Sequence, residues 1–445
     1  MIILRVTDNA RVQDAPIGNI LVNKHAYINV GMCQRIIMNQ ENRQILKQFH
    51  NCRILRDGKI LNEDLWVRDG KIVNPEKIFY DEKIMSDVRI DCNGALISPG
   101  YIDLQINGGF GIDFTHNVNN VQDGINKVAK QLIEFGVTSF CPTLVTSPSE
   151  TYHKVIPNIK KTKGGKHGAS VLGIHLEGPF ISPSKKGAHP ENHIKQFENG
   201  FDSLLLMYGS LDNVCLVTLA PELPNAQAVI AELCKRDIIV SLGHSIANLH
   251  DGEEAVKSGA SFITHLFNAM LPFHHRDPGL VGLLTSDQIP PGKIIHYGII
   301  ADGIHTHPAA LRIAHRTHPE GLVLVTDALS ALGLEEGVHQ LGQLKIEMRG
   351  GCAYIAGTNT LCGSTVEMSK CVRYFKEATG CSIVEALEAA TLHPARTLGM
   401  AETKGVLNYG ADADLVILDK NLELLSTWIS GECVYSVCNL GICCQ

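Results

Sequence analysis

The chain has 445 residues, 44% of them hydrophobic and 19% charged, with a net charge of −7. That length is too great for one small core and fits a barrel of about 250 residues plus a smaller domain. The composition is that of a globular protein, and the negative balance argues against nucleic acid or an anionic membrane as partner. The 14 cysteines are scattered without paired CxxC spacing, so buried thiols are expected rather than a cysteine metal site. No apolar run approaches about 20 residues, and Arg5 and Asp8 cut short the N-terminal apolar stretch. Neither a transmembrane helix nor a signal peptide is expected, and the default location is cytoplasmic.

Residues 1–45 have no clear period and form an unassigned N-terminal extension. From Phe49 the pattern changes. Asp57-Gly58 and Asp69-Gly70 separate the short runs Cys52–Leu55, Leu65–Val67 and Lys71–Val73, and Asp-Gly between apolar runs signals a hairpin. Residues 46–98 are therefore expected to be the first part of a small β-sandwich. Ser98-Pro99-Gly100 opens a region, 99–392, with eight strand-like runs. They are Tyr101–Ile106, Thr138–Cys141, Val171–Leu176, Val214–Leu219, Ile238–Ser241, Phe262–Thr264, Ile295–Ile300 and Leu322–Thr326. Helical spacing lies between most of them, as in Val121–Phe135 and Ala226–Lys235. Eight alternations predict an α/β fold, a distorted (β/α)8 TIM-like barrel. A helix follows over Ile383–Thr391, with His393-Pro394 expected to end it. Residues 393–435 return to β in Gly405-Val-Leu, Ala413–Leu418 and Leu422–Ile429, so the sandwich is built from both flanks of the barrel. Residues 436–445 read as a tail, and its cysteines have no functional reading.

Four polar residues stand just past the ends of separate strand-like runs: Glu177, His244, His265 and Asp327. In a parallel barrel all these ends lie on one face, the face that carries active sites. Alone, each has a plain structural use, as a loop carboxylate, a core histidine or a helix cap. Together, one carboxylate and two imidazoles suit a catalytic metal with an open position for water, and Asp327 suits a general base beside it. A metal-dependent hydrolase is the expected class.

Longer motifs surround these residues. His175-Leu-Glu-Gly-Pro179, Gly243-His-Ser245, Thr264-His-Leu-Phe-Asn-Ala-Met270, Ala301-Asp-Gly-Ile-His305 and Thr326-Asp-Ala328 resemble the N-acetylglucosamine-6-phosphate deacetylase family of the amidohydrolase superfamily. The similarity runs from about Asn51 to Tyr435 and includes Thr391-Leu-His-Pro-Ala-Arg396 and Gly410-Ala-Asp-Ala-Asp-Leu-Val416. Many superfamily members carry His-x-His at the end of the first barrel strand, where this chain has Gln105 and Asn107. Amides are poor ligands for zinc beside imidazole, so one metal is expected.

The resemblance implies hydrolysis of the acetamide of N-acetylglucosamine 6-phosphate, in amino-sugar catabolism, with one divalent ion per subunit, most often Zn²⁺. It implies Glu177, His244 and His265 as ligands and Asp327 as proton donor and acceptor. For substrate contacts it implies Ala188, His189, Asn268, Ala269, Asp302 and His305, with Leu361, Cys362 and Gly363 in a loop over the sugar. It also implies Arg276 as a phosphate ligand reaching into the neighbouring subunit of a homodimer. Two other readings fit the residues: a single-metal amidohydrolase acting on another acylated amino sugar or a cyclic amide, and an inactive scaffold barrel. The retained ligand set argues against the scaffold.

Overall fold

The computed structural model describes residues 45–437, apart from 342–343, 350 and 359–362, together with two short antiparallel strands, Ile20–Leu21 and Tyr27–Ile28. The chain divides into two compact units, 1–45 and 46–445. Those two strands are all that is described before Ile45, and the barrel and small domain both belong to the second unit. The tail expected over 436–445 lies almost wholly outside the described residues.

Eight parallel strands form the barrel. They are β1 (Tyr101–Ile106), β2 (Val137–Val145), β3 (Ile174–Glu177), β4 (Val214–Leu219), β5 (Ile239–Leu242), β6 (Phe262–Ile263), β7 (His296–Ile299) and β8 (Leu322–Leu324). Each pairs with the next in chain order. No regular ladder joins β8 back to β1. The ring closes beyond the end of β8, through the bridge Ile106↔Ala328 and two backbone bonds: Asp327 N–H to Gln105 O at 2.8 Å and Asn107 N–H to Ala328 O at 2.7 Å. The fold is the TIM-like barrel expected from the eight alternations.

Several elements differ from expectation. The third strand is interrupted: Ser170–Val171 and Ile174–Glu177 both lie along β2, and the register slips by one residue between Phe140↔Val171 and Thr143↔His175. Such a bulge re-aims the side chains beyond it, here His175 and Glu177. The expected helix Ile383–Thr391 stops as an α-helix at Glu388, and its start is capped by the reciprocal Ser382–Glu385 pair. Pro394 does not end a helix. It sits in the first turn of a second short one, Leu392–Thr397, where its missing N–H costs nothing. A three-stranded antiparallel meander, Gly337–Leu341, Leu344–Arg349 and Cys352–Ile355, was not anticipated. Its runs are short and polar, and Ile346 and Met348 alone mark the period-two face buried against Ala331 and Ala353.

The small domain is two stacked sheets. In the larger, Leu96–Pro99 pairs antiparallel with Leu415–Leu418, which joins the two flanks of the barrel in one sheet. In the smaller, Lys47–His50 lies between Leu65–Arg68 and Val88–Asp91. The turns Asp57-Gly58 and Asp69-Gly70 have φ between 50° and 71°, the mirror-image turn that suits strand twist. Phe49, Ile54, Val67, Ile97, Leu415 and Trp428 fill the space between the sheets. Among the described residues no helix is long and apolar enough to cross a membrane.

Gly100 is where sandwich meets barrel. Its N–H bonds Asp414 O at 2.9 Å. A Cβ there would stand 2.2 Å from both Cγ2 and Oγ1 of Thr138, the residue beside it on β2. We expect Gly100→Ala to cost about 1–3 kcal/mol by overpacking. A thermal melt of Gly100→Ala with Thr138→Ala should recover part of the loss, since the Thr138 Cβ would still stand 2.7 Å from the new Cβ. Equal melting temperatures for the single and double variants would remove the steric account.

Candidate active site

The site is built from residues at the strand ends and in the loops just beyond them. Glu177 is the last residue of β3, His244 follows β5, His265 follows β6 and Asp327 lies past β8. His244, His265 and Asp327 have φ of 49°, 28° and 47°, left-handed backbone that residues with a Cβ adopt only when their surroundings hold them there. Glu177, His244 and His265 are nearly inaccessible to solvent, and Asp327 is half-buried.

Glu177 Oε1 lies 3.1 Å from His244 Nε2 and 3.1 Å from His265 Nε2, and the two nitrogens are 3.0 Å apart. Three electron-pair donors this close require positive charge between them. In a protein alone a proton must supply it. Burial by itself would raise the Glu177 pKa, but the two imidazoles outweigh burial and hold the carboxyl well below its usual range. Burial opposes charge on His265 too, yet the Glu177 carboxylate wins and pushes that imidazole up. A divalent ion fits the same place. Tetrahedral ligands at about 2.0–2.2 Å from a metal stand roughly 3.3 Å apart. His244 Nδ1 donates to Lys185 O at 2.9 Å, which leaves the Nε2 lone pair turned to the centre, as a ligating imidazole needs. Among the described residues no other cluster of three such groups occurs.

Gln105 and Asn107, read in the sequence only as missing histidines, have definite work. Gln105 Nε2 donates to Glu177 Oε1 at 3.0 Å, and Asn107 Nδ2 donates to Asp327 Oδ1 at 2.7 Å. Burial and the neighbouring charge of Glu177 push Asp327 up to about 6.

An amidohydrolase family profile matches residues 96–437. The chain belongs to the amidohydrolase family. Its similarity to the N-acetylglucosamine-6-phosphate deacetylase of Mus musculus is 62% identity over 395 residues, covering 88% of this chain and 97% of that one. The human deacetylase of the same name is 62% identical over 389 residues, covering 87% and 95%. A solved N-acetyl-D-glucosamine-6-phosphate deacetylase variant from Mycobacterium smegmatis, in complex with N-acetyl-D-glucosamine-6-phosphate, superposes with a TM-score of 0.74 at 29% identity. That match covers 89% of this chain and all of the other. Within the amidohydrolases the chain therefore groups with the deacetylases of acetylated amino-sugar phosphates, as its motifs implied.

The other anticipated residues of this amidohydrolase are placed unevenly. His189 is buried, its Nδ1 is 2.7 Å from Thr146 Oγ1, and its ring centre is 4.5 Å from that of His244. Ala188 precedes it on the exposed part of the same loop. Ala269 accepts the Ser245 N–H through its carbonyl at 3.0 Å, and Asn268 beside it is half-buried. Asp302 Oδ2 is 2.5 Å from His305 Nδ1, and it keeps that imidazole charged more readily than burial alone would allow. Gly363 leads into Ser364, which bridges Ala328 beside Asp327. Leu361 and Cys362 lie outside the described residues. Arg276 is on an exposed loop, and among the described residues no ion pair or side-chain hydrogen bond joins it to the others.

Sequence reasoning missed a buried polar layer beneath the donors. His175 Nδ1 lies 3.2 Å from Leu104 O, and its Nε2 lies 2.7 Å from Thr218 Oγ1. Thr218 Oγ1 is 2.8 Å from Thr264 Oγ1, which in turn meets Ser241 Oγ. Burial lowers His175 to about 4, so it is a neutral ring that donates at one nitrogen and accepts at the other. The Glu177-Gly178 turn is held by Tyr208, whose hydroxyl donates to Gly178 O at 2.7 Å. Glu222 accepts Ser245 Oγ–H at 2.6 Å and Ile246 N–H at 2.8 Å and so fixes the loop after His244. The signal available in the sequence was polar side chains such as His175 and Thr218 inside apolar runs.

A divalent ion that binds the folded protein and not the unfolded chain should stabilise it by about 4 kcal/mol at a free concentration near 1,000 times Kd. We expect chelated protein to melt lower and to recover on titration with a divalent ion. His244→Ala should abolish that recovery. An unchanged ion-dependent shift in His244→Ala would rule out this donor set.

Proposed function

We propose that the protein hydrolyses the acetamide of N-acetyl-D-glucosamine 6-phosphate to D-glucosamine 6-phosphate and acetate. The observation that carries this reading is the convergence of Glu177, His244 and His265 beside a half-buried Asp327, in a chain so similar to named deacetylases. One ion per subunit, zinc, suits a donor set of two imidazoles and one carboxylate. Bound there, it would supply Lewis acidity, lowering the pKa of water toward about 7 and polarising the amide carbonyl.

The protein's residues do the rest. Asp327, held by the Asn107 amide, accepts a proton from the attacking water as the C–O bond forms. It then returns that proton to the sugar nitrogen as the C–N bond breaks, and acetate and a free amine leave. His189, packed on His244 with one nitrogen tied to Thr146, presents its other nitrogen toward the acetamide oxygen. Asn268 and the Asp302–His305 pair orient the sugar hydroxyls, with Ala188, Ala269 and Gly363 as further sugar contacts. Arg276, exposed and without an ion pair among the described residues, reaches the phosphate of the neighbouring subunit's substrate in a homodimer. Its planar fork suits two oxygens of one phosphate.

Acetate release from the purified, metal-loaded protein tests this. Asp327→Asn should keep the ion and lose about 10²–10⁴-fold in kcat. Near wild-type turnover would reject Asp327 as the proton carrier. Arg276→Ala should lower kcat/KM for the phosphosugar by roughly 10–100-fold, the worth of a charged hydrogen-bond pair. It should leave the much weaker activity on unphosphorylated N-acetylglucosamine unchanged. Equal loss on both substrates would detach Arg276 from the phosphate.

A further inference from the structure

The barrel has a seam between its first and last strands, and one buried carboxylate spans it. Asp103, on β1, accepts the Thr326 hydroxyl at 2.5 Å on Oδ2 and the Thr326 N–H at 3.3 Å on Oδ1. The same Oδ1 takes the Gln105 N–H of its own strand at 3.2 Å. Thr326 Oγ1 also accepts the Ala328 N–H at 3.2 Å. The residue between the two clasped positions is Asp327, in left-handed backbone at φ 47°.

Burying a carboxylate costs several kcal/mol, so its presence here needs a reason. A carboxylate has two oxygens and about four acceptor positions, enough for three donors where no ladder joins the strands. Burial, opposed by the Thr326 hydroxyl, pushes Asp103 up to about 7. The contact survives protonation all the same, because a threonine hydroxyl can accept as well as donate. The clasp thus holds over the pH range in which Asp327 would work.

We propose that Asp103 is a positioning residue for the reaction: by gripping Thr326 across the seam it holds Asp327 in the turn that presents its carboxylate to the scissile amide. This rests on Asp327 as the proton carrier. Asp103 touches neither substrate nor ion. It acts through the two neighbours of Asp327 in the chain, Thr326 directly and Ala328 through the Thr326 hydroxyl.

The test is acetate release with N-acetylglucosamine 6-phosphate, with metal content measured and amide exchange followed over 101–107 and 322–329. Asp103→Ala should keep the ion and hold KM within about threefold while kcat falls on the order of 100-fold, the cost of misplacing a reacting group by about 1 Å. Its Asp327 and Asn107 amides, which close the seam, should exchange faster. Asp103→Asn keeps an oxygen for both N–H groups and offers an N–H to Thr326 Oγ1, so it should retain kcat within about fivefold. Thr326→Ser should behave as wild type, and Thr326→Val should follow Asp103→Ala. Should Asp103→Ala fail to fold, the Thr326 pair decides. Equal kcat losses in Asp103→Asn and Asp103→Ala would overturn the clasp, as would unchanged exchange at Asp327 or a Thr326→Val enzyme with full kcat. Asp327→Asn in the same assay separates the two ideas, since turnover there defeats the proton-carrier reading while exchange still reports the clasp.

Discussion

Three electron-pair donors crowded within about 3 Å of one another are the constraint on which the rest of the site depends. The arrangement is unstable without positive charge at its centre, and it forms only because the backbone leaves no alternative. A strand end, a left-handed residue after β5 and another after β6 bring the three atoms together. Each such backbone conformation costs of order 1–3 kcal/mol. The packing that offsets it is visible in the Tyr208 hydroxyl on Gly178 O, in Glu222 on the Ser245 loop, and in the Lys185 carbonyl on His244.

Below the donors the barrel departs from the usual apolar filling. His175, Thr218, Thr264 and Ser241 form a hydrogen-bonded row across β3, β4 and β5 to the start of the loop after β6. On the other side, Asp103 and Thr326 join β1 to the segment after β8. Buried polar groups are costly when half-satisfied and rigid when complete. A rigid floor of this kind fixes strand ends to the fraction of an ångström that a reaction needs. Apolar side chains would fill the same volume without setting the angles of the residues above them.

Much of this was legible in the chain, for reasons that differ by residue. The eight strands could be read because each is a short apolar run bounded by turn residues, and the hairpins because Asp-Gly dictates a turn. Glu177, His244, His265 and Asp327 stood out not singly but together, because four polar residues at separate strand ends of one barrel face meet in one cup. The bulge before β3 was hidden, since a one-residue slip leaves no mark on hydropathy. The meander over 337–355 was hidden too, because among the described residues it gives only Ile346, Met348 and Ala353 to its buried cluster. The polar floor was visible residue by residue, but its meaning lies in pairs such as Asp103 with Thr326, 223 positions apart. Only closure of the barrel makes those two neighbours.

The same logic bears on Gln105 and Asn107. Where many amidohydrolases place two imidazoles to hold a second cation, this chain places two amides, and both turn N–H groups toward carboxylates. A second cation would stabilise negative charge on Glu177 and Asp327. Two N–H donors do so as well, each charged hydrogen bond contributing about 1.5–3 kcal/mol. They also leave Asp327 free to move a proton in the proposed reaction. On the proposed single-ion reading, the two amides leave neither anion unsupported. In the single-ion reading proposed for this site, Asp327 is then the base rather than a ligand.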